Sequence, residues 1–146
     1  MIRQARAGEA DTVSAVVHAA YQHYIARIGK PPGPMLDDYA QRIADGQTWV
    51  LEDAERIAGM LVLEETPAGM LLDNIAVLPE YQGKGVGRAL LEFAEAEARQ
   101  RGFSAIHLYT HALMTENIAL YSRIGYVETR RVTEKGYDRV YMTKRV

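Results

Sequence analysis

A mixed α/β fold, a central sheet covered by helices, is predicted for this chain by three observations. The spacing of apolar residues switches between helical and extended periods in the order β-α-α-β-β-β-α-β-α-β-β. Proline and glycine clusters punctuate those switches. The length of 146 residues suits one hydrophobic core, so residues 1–146 are expected to form a single domain.

Each element has its own reason. Ile2 to Arg6 alternates apolar with polar and reads as an opening strand. From Ala7 to Ile28, residues Val13, Val17, Ala20, Tyr24 and Ile28 recur at steps of three and four, the stripe of one amphipathic helix. Gly29-Lys30-Pro31-Pro32-Gly33-Pro34 ends it as a stiff loop, because proline lacks an amide donor and restricts its predecessor. Leu36 to Ala44 reads as a second, shorter helix closed by Gly46. Thr48 to Glu52 and Ile57 to Glu65 are apolar and rich in β-branched residues, and the polar Asp53-Ala54-Glu55-Arg56 between them makes an antiparallel hairpin. After a turn at Thr66-Pro67-Ala68-Gly69, Met70 to Leu78 is the next strand. Gly85 to Arg101 returns to helical spacing through Val86, Leu90, Phe93 and Ala94, with Gly102 just beyond its end. Ser104 to Thr110 is a strand, and Glu116 to Arg123 a short helix capped by Thr115 and stopped by Gly125. Tyr126 to Thr133 and Tyr137 to Lys144 close the chain as a hairpin. The count is about seven strands and four helices.

Composition excludes several function classes. With 17 basic against 19 acidic residues, the chain has no overall field for grasping nucleic acid. The absence of cysteine rules out a disulfide scaffold, a thiolate metal site and a cysteine nucleophile. No stretch approaches the ~20 apolar residues of a membrane span, and no signal peptide is visible, so a cytoplasmic location is expected. The four histidines have no carboxylate at ligand spacing, so no metal is expected.

The segment richest in chemistry is Leu78 to Arg88. Gly83, Gly85 and Gly87 fall between a strand and a helix that begins at once, and glycine admits a ligand close to the backbone. Backbone amides from Gly83 to Arg88, helped by the helix dipole and by Lys84 and Arg88, would suit a pyrophosphate. Spacing excludes two familiar phosphate loops. Counting from Gly83, the sixth position is Arg88 rather than glycine, and Lys84 is followed by Gly85 rather than serine or threonine. What remains is Gln82, two residues, Gly85, one residue, Gly87. This resembles the acyl-CoA loop of the GNAT superfamily of N-acetyltransferases. A second constellation has the same resemblance: Asn117 and Tyr121 share one helix face, and Gly125-Tyr126 opens the following strand.

The resemblance follows element order over the whole chain and is specific in its motifs from about Asp73 to Tyr126. It implies a mostly antiparallel sheet splayed near the bound donor, and transfer of an acetyl group from acetyl-CoA directly to an amine. It also implies that Ile75, Ala76 and Val77 pair with the donor's arm and offer amides to an oxyanion. Gln82, Gly83, Lys84, Gly85, Val86, Gly87 and Arg88 hold the pyrophosphate, Asn117 hydrogen-bonds the donor, and Tyr121 lies near its sulfur. A tyrosine with an ordinary pKa of about 10 suits protonation of a thiolate whose conjugate acid lies near 8.5.

The amine needs a base. Asp73, two residues before Ile75, is the first candidate, with Glu64 and Glu65 as alternatives. A strand-edge carboxylate bonded to backbone is the plain structural reading of Asp73. Leu71 stands where the histone-modifying branch carries glutamate, which argues against that branch's substrate. By the resemblance, the acceptor pocket is bordered by the first two helices, the proline loop and the last hairpin. Tyr21, Tyr24, Asp73, His111 and Tyr141 are the substrate candidates, and a small amine is favoured over a protein. The expected partners are this amine acceptor and a second copy of the chain as a homodimer, with no nucleic acid and no membrane. Two rivals stand beside this reading: a non-catalytic acyl-CoA sensor, and a protein or peptide N-acetyltransferase.

Overall fold

The computed structural model describes residues 1–146. Its seven strands form one sheet: β1 (Ile2–Gln4), β2 (Thr48–Asp53), β3 (Arg56–Thr66), β4 (Gly69–Val77), β5 (Ala105–His111), β6 (Val127–Glu134) and β7 (Tyr137–Arg145), in the spatial order β1-β2-β3-β4-β5-β7-β6. Only the β4–β5 pairing is parallel. The crossover between those two strands carries a helix, as a parallel connection requires.

There are five α-helices, not four. The single stripe expected from Ala7 to Ile28 is divided into α1 (Ala10–Tyr21) and α2 (Tyr24–Ile28). At the junction the Ile25 amide bonds to the Gln22 carbonyl at 3.2 Å, a tighter turn that bends the axis while Tyr24 stays buried. The helix expected from Leu36 is also displaced. Gly33–Leu36 forms one 3-10 turn, and α3 (Tyr39–Ala44) restarts after Asp38, whose carboxylate accepts the Gln41 amide at 3.1 Å. The remaining helices are α4 (Val86–Gln100) and α5 (Thr115–Arg123). Thr115 does not cap α5: Met114 precedes the helix, and the Thr115 hydroxyl bonds to Glu116 instead.

Each face of the sheet has its own core. Helix α4 packs on one face against Leu61, Leu63, Leu72, Ile106 and Leu108. Helix α1 packs on the other against Val50, Met60, Val62 and Ala76. Gly59 lets α4 sit close, since a Cβ there would lie 3.0 Å from both Leu90 and Val86.

Strand β4 changes face in its middle. Leu63 pairs with Leu72, but Val62 pairs with Asn74, so Asp73 is an extra, bulged residue. One inserted residue inverts the alternation. Leu72 belongs to the α4-side core, whereas Asn74 and Ala76 turn to the α1 side. The buried Asn74 is engaged there: its carbonyl lies 3.1 Å from the Tyr21 hydroxyl, sharing that group's single proton with the Ile75 carbonyl, and its amide donates to the Tyr39 hydroxyl at 2.8 Å. Tyr39 in turn donates to the Pro34 carbonyl. This network ties α1, α3 and the proline loop to the bulge.

Replacing Asn74 by alanine strands two buried hydroxyl contacts at once. The expected loss of stability is about 1–3 kcal/mol, to be read from urea unfolding. An unchanged midpoint would show that the network does not hold the bulge.

Candidate active site

Beyond the bulge the sheet opens. Strand β4 pairs with β5 only over Met70–Leu72, leaving Asp73–Val77 with a free side toward the gap. The Leu78 amide bonds to the Ala58 carbonyl on β3, and neighbouring residues of a strand turn their backbone groups to opposite sides. Ile75 and Val77 therefore present theirs to the gap, and Ala76 turns inward. Tyr21 confirms the direction, since its hydroxyl donates to the Ile75 carbonyl at 2.7 Å.

The glycine loop follows this free edge. Gly83 and Gly85 have φ of 79° and 84°, and a Cβ on either would meet nothing within 4 Å. Glycine is needed for the backbone, and the space beside it is open. The first bond within α4 runs from Ala89 to the Gly85 carbonyl at 3.0 Å, so the amides of Val86, Gly87 and Arg88 have no helical acceptor. They stand unpaired at the positive end of a 15-residue helix, an arrangement with the chemistry of an anion cradle. The Lys84 amide is not part of it, because it donates back to the Tyr81 carbonyl at 3.3 Å. Its ammonium lies 5.8 Å from the Tyr81 ring centre, while the exposed Arg88 pairs loosely with Glu92 at 3.4 Å. Gln82 turns back toward the Val77 carbonyl at 3.4 Å.

On the opposite, α1 face lies a cavity of about 320 Å³. Tyr21, Asp73, Ile75, Tyr109, His111 and Tyr121 contribute to its wall. Tyr121 belongs to the α4-side core and yet lines this cavity, so it reaches through the gap. The end of α5 fixes it. The Tyr126 amide bonds to the Tyr121 carbonyl at 3.0 Å and the Gly125 amide to the Ser122 carbonyl at 3.2 Å, with Gly125 at φ 106°. That is a Schellman cap. Its usual apolar contact is here an edge-on pair of the Tyr121 and Tyr126 rings, 5.8 Å apart. Burial raises the Tyr121 pKa well above the ordinary phenol value, so the hydroxyl keeps its proton. Asn117, one turn earlier, donates to the Met114 sulfur at 3.6 Å.

Asp73 projects from the bulge into the cavity and is mostly buried. Arg42 bonds to it at 3.3 Å and Tyr109 donates to it at 3.2 Å. Burial raises the Asp73 pKa above the ordinary carboxylate value, outweighing the opposing pull of Arg42. The Tyr109 phenol is pushed up to about 12, first by burial and then by Asp73. His111 accepts the Leu113 amide on Nδ1 at 3.0 Å, which puts the proton of the neutral ring on Nε2. Burial lowers its pKa.

Two substrate candidates lie elsewhere. Tyr24 is buried in the α1-side core between His23 and Tyr21, with Arg27 over its ring, and does not line the cavity. Tyr141 supports the wall from behind: its ring packs on Tyr109 at 5.6 Å and its hydroxyl donates to Glu134 at 2.6 Å. Tyr21 does line the cavity, but its hydroxyl is spent on holding β4. Of the other two acids, Glu64 sits on Arg42 at 2.6 Å and Glu65 faces Arg101 at 3.4 Å. Asn74, Arg42, Tyr109 and Arg139 were not singled out by the sequence. The adjacent polar pair Asp73-Asn74 inside an apolar strand was a readable sign of the bulge. The tie of Arg42 to the site left no local sign, since Glu64 and Asp73 lie 22 and 31 residues away from it. No group of three His, Cys, Asp or Glu side chains is placed to hold a metal, and no helix is long and apolar enough to cross a membrane.

A family model described as an acetyltransferase (GNAT) domain matches residues 44–128. The ribosomal protein bS18-alanine N-acetyltransferase of Escherichia coli is 46% identical over 57 residues, 39% of this chain and 38% of that protein. The mycothiol acetyltransferase of Jonesia denitrificans is 32% identical over 83 residues, 56% of this chain and 26% of its own length. The chain thus spans well under half of these curated relatives. In structure, the PaiA N-acetyltransferase of Thermoplasma acidophilum, solved in complex with coenzyme A, superposes with a TM-score of 0.80 at 18% identity, over 100% of this chain and 98% of that one.

Gly85→Glu tests the cradle. It forces a side chain into a left-handed backbone and an anion into the anion site, so coenzyme A affinity by calorimetry should fall by ~10²-fold or more. Intact binding by the folded variant would dismiss the cradle.

Proposed function

The chain belongs to the GNAT family of acetyltransferases, and from that premise we propose that it moves an acetyl group from acetyl-CoA directly to the amine of a small molecule. The observation that carries this reading is the meeting of the anion cradle and the acceptor cavity at one gap in the sheet, bridged by Tyr121. The donor's chemistry fits the residues present. Unpaired amides of Val86, Gly87 and Arg88 suit a pyrophosphate, the open space beside Gly83 and Gly85 leaves room for it, and the free edge at Ile75 and Val77 suits an extended amide-bearing arm. When bound, acetyl-CoA supplies a thioester carbonyl and a thiolate leaving group.

The chain's own groups then have separate tasks. The amide of Ile75 or Val77 donates to the oxygen that gains charge, at no reorganisation cost because β4 is held rigid by Tyr21 and Asn74. Tyr121 gives its hydroxyl proton to the departing sulfur. Its raised pKa does not spoil the match, since the same burial raises the proton affinity of any sulfur in the gap. Asp73 takes the proton of the amine, with Arg42 and Tyr109 fixing its two oxygens.

A small acceptor is favoured over a polypeptide by the cavity's roof. Lys30 of the proline loop donates to the Gly136 carbonyl at 2.6 Å, and Tyr137 donates back to the Pro31 carbonyl at 2.6 Å. A peptide lying across the cavity would have to part this strap.

Tyr121→Phe should leave coenzyme A affinity unchanged and lower turnover by ~10²-fold. Equal activity would remove Tyr121 from its role, and tight coenzyme A binding with no transfer to any amine would favour a sensor.

Asp73 gives a pH prediction. Its raised pKa keeps it protonated at pH values where an ordinary aspartate is ionised, so the base appears only above that range. The kcat/KM profile should therefore rise with pH through an inflection above the usual carboxylate value, and Asp73→Asn should abolish that limb. A limb that survives in Asp73→Asn assigns the base elsewhere.

A further inference from the structure

The two walls of the acceptor cavity carry opposite charge. On the inner side Asp37 and Asp73 line the cavity and, together with Glu64, which does not, contact one guanidinium, that of Arg42, at 2.9, 3.3 and 2.6 Å. Arg42 also donates to Gln47 at 3.0 Å, so its donors are committed and the carboxylates outnumber it three to one. On the outer side, the β6–β7 hairpin brings Arg139 and Lys135 to the cavity. Neither is neutralised in the same way. The Arg139 guanidinium carbon lies 4.3 Å from the centre of the Tyr109 ring, the group is mostly buried beside the Tyr141 hydroxyl, and its nearest carboxylate, Glu134, is 3.7 Å away, beyond hydrogen-bonding distance. Glu134 is itself engaged by the Tyr141 hydroxyl at 2.6 Å. Lys135 stands exposed at the turn and makes no ion pair within 4.0 Å.

We propose that the acceptor is a small zwitterion, an amine bearing a carboxylate or phosphate, whose anionic end is held by Arg139 with help from Lys135 while its amine faces Asp73. The inference rests on the acetyl-transfer reading above and adds the acceptor's second charge. An ammonium gains from the acid-rich inner side on binding; it gives one proton to solvent to become the attacking amine, and Asp73 takes the second as the C–N bond forms. Arg139 lines the cavity without a hydrogen-bonded carboxylate of its own, and the planar fork of a guanidinium matches the two oxygens of an acid group. The cavity's size, about 320 Å³, leaves room for both ends of a molecule no larger than a modified amino acid. A polyamine meets the wrong sign of charge at the outer wall.

The test compares matched acceptors: a free amino acid, its carboxamide, the amine lacking the acid group, and O-phosphoethanolamine beside ethanolamine. Thiol release gives kcat/KM for each, and calorimetry gives the affinity of the N-acetylated amino acid for the chain without donor. The expected result is at least a ~10-fold advantage in kcat/KM for an acid-bearing acceptor over its neutral counterpart. Whichever pair shows it identifies the acid. Arg139→Gln should raise KM for that acceptor ~10-fold, weaken the acetylated product to the same degree, and leave KM for the neutral partner unchanged. Lys135→Gln should do the same more weakly, and Arg139→Lys should restore part of the loss, which a purely structural role beside Tyr109 would not predict. If neutral amines are acetylated as well as their acid-bearing partners, or if Arg139→Gln slows both alike, the zwitterion is overturned and acetyl transfer stands. If no amine is acetylated, acetyl transfer itself falls, and this inference with it.

Discussion

One extra residue in β4 governs the rest of the molecule. Without the bulge at Asp73, β4 would keep its alternation and could continue its ladder with β5, and the sheet would close. With it, Leu72 ends one pattern and Asn74 begins the opposite one, so a strand that starts in the α4-side core finishes with Asn74 and Ala76 in the α1-side core. The amides of Ile75 and Val77 turned to the gap, the exit into the glycine loop and the projection of Asp73 into a cavity all follow from that shift. A bulge leaves polar backbone unpaired, and here the cost is offset by Tyr21, whose hydroxyl holds both Ile75 and Asn74.

The second support is at the far end of α5. A left-handed Gly125 lets the chain reverse directly into β6, and the reversal brings Tyr126 beneath Tyr121. Sequence neighbours therefore orient the one aromatic side chain that spans both faces of the sheet. Long-range contacts orient the acid facing it. Arg42 reaches Asp73 from α3, and Tyr109 reaches it from β5, so the position of that carboxylate depends on three elements that share no local sequence signal.

This contrast marks what was legible in the sequence. The glycine loop, the Asn117–Tyr121 pair and the Gly125 stop were readable because each is local: a positive φ, a helix face, a C-terminal cap. Element order was readable for the same reason, down to the closing hairpin. The division of the first helix was not, because the apolar stripe runs on through the bend at Gln22. Nor was the failure of Tyr24 and Tyr141 to line the cavity, since helical or strand spacing gives a face and not the depth at which a ring is buried. The Arg42 hub was only half legible: Asp37 and Gln47 lie five residues away on either side, but Glu64 and Asp73 join it only when α3, β3 and β4 are assembled.

The gap has a consequence for traffic. The unpaired amides stand at the start of α4 on one face of the sheet and the cavity lies on the α1 face, so the two are entered from different sides and meet only at the gap. On the proposed acetyl-transfer reading, donor and acceptor approach from opposite faces of the sheet, so neither path crosses the other. Tyr121, in the α4-side core and in the cavity wall, stands between the two.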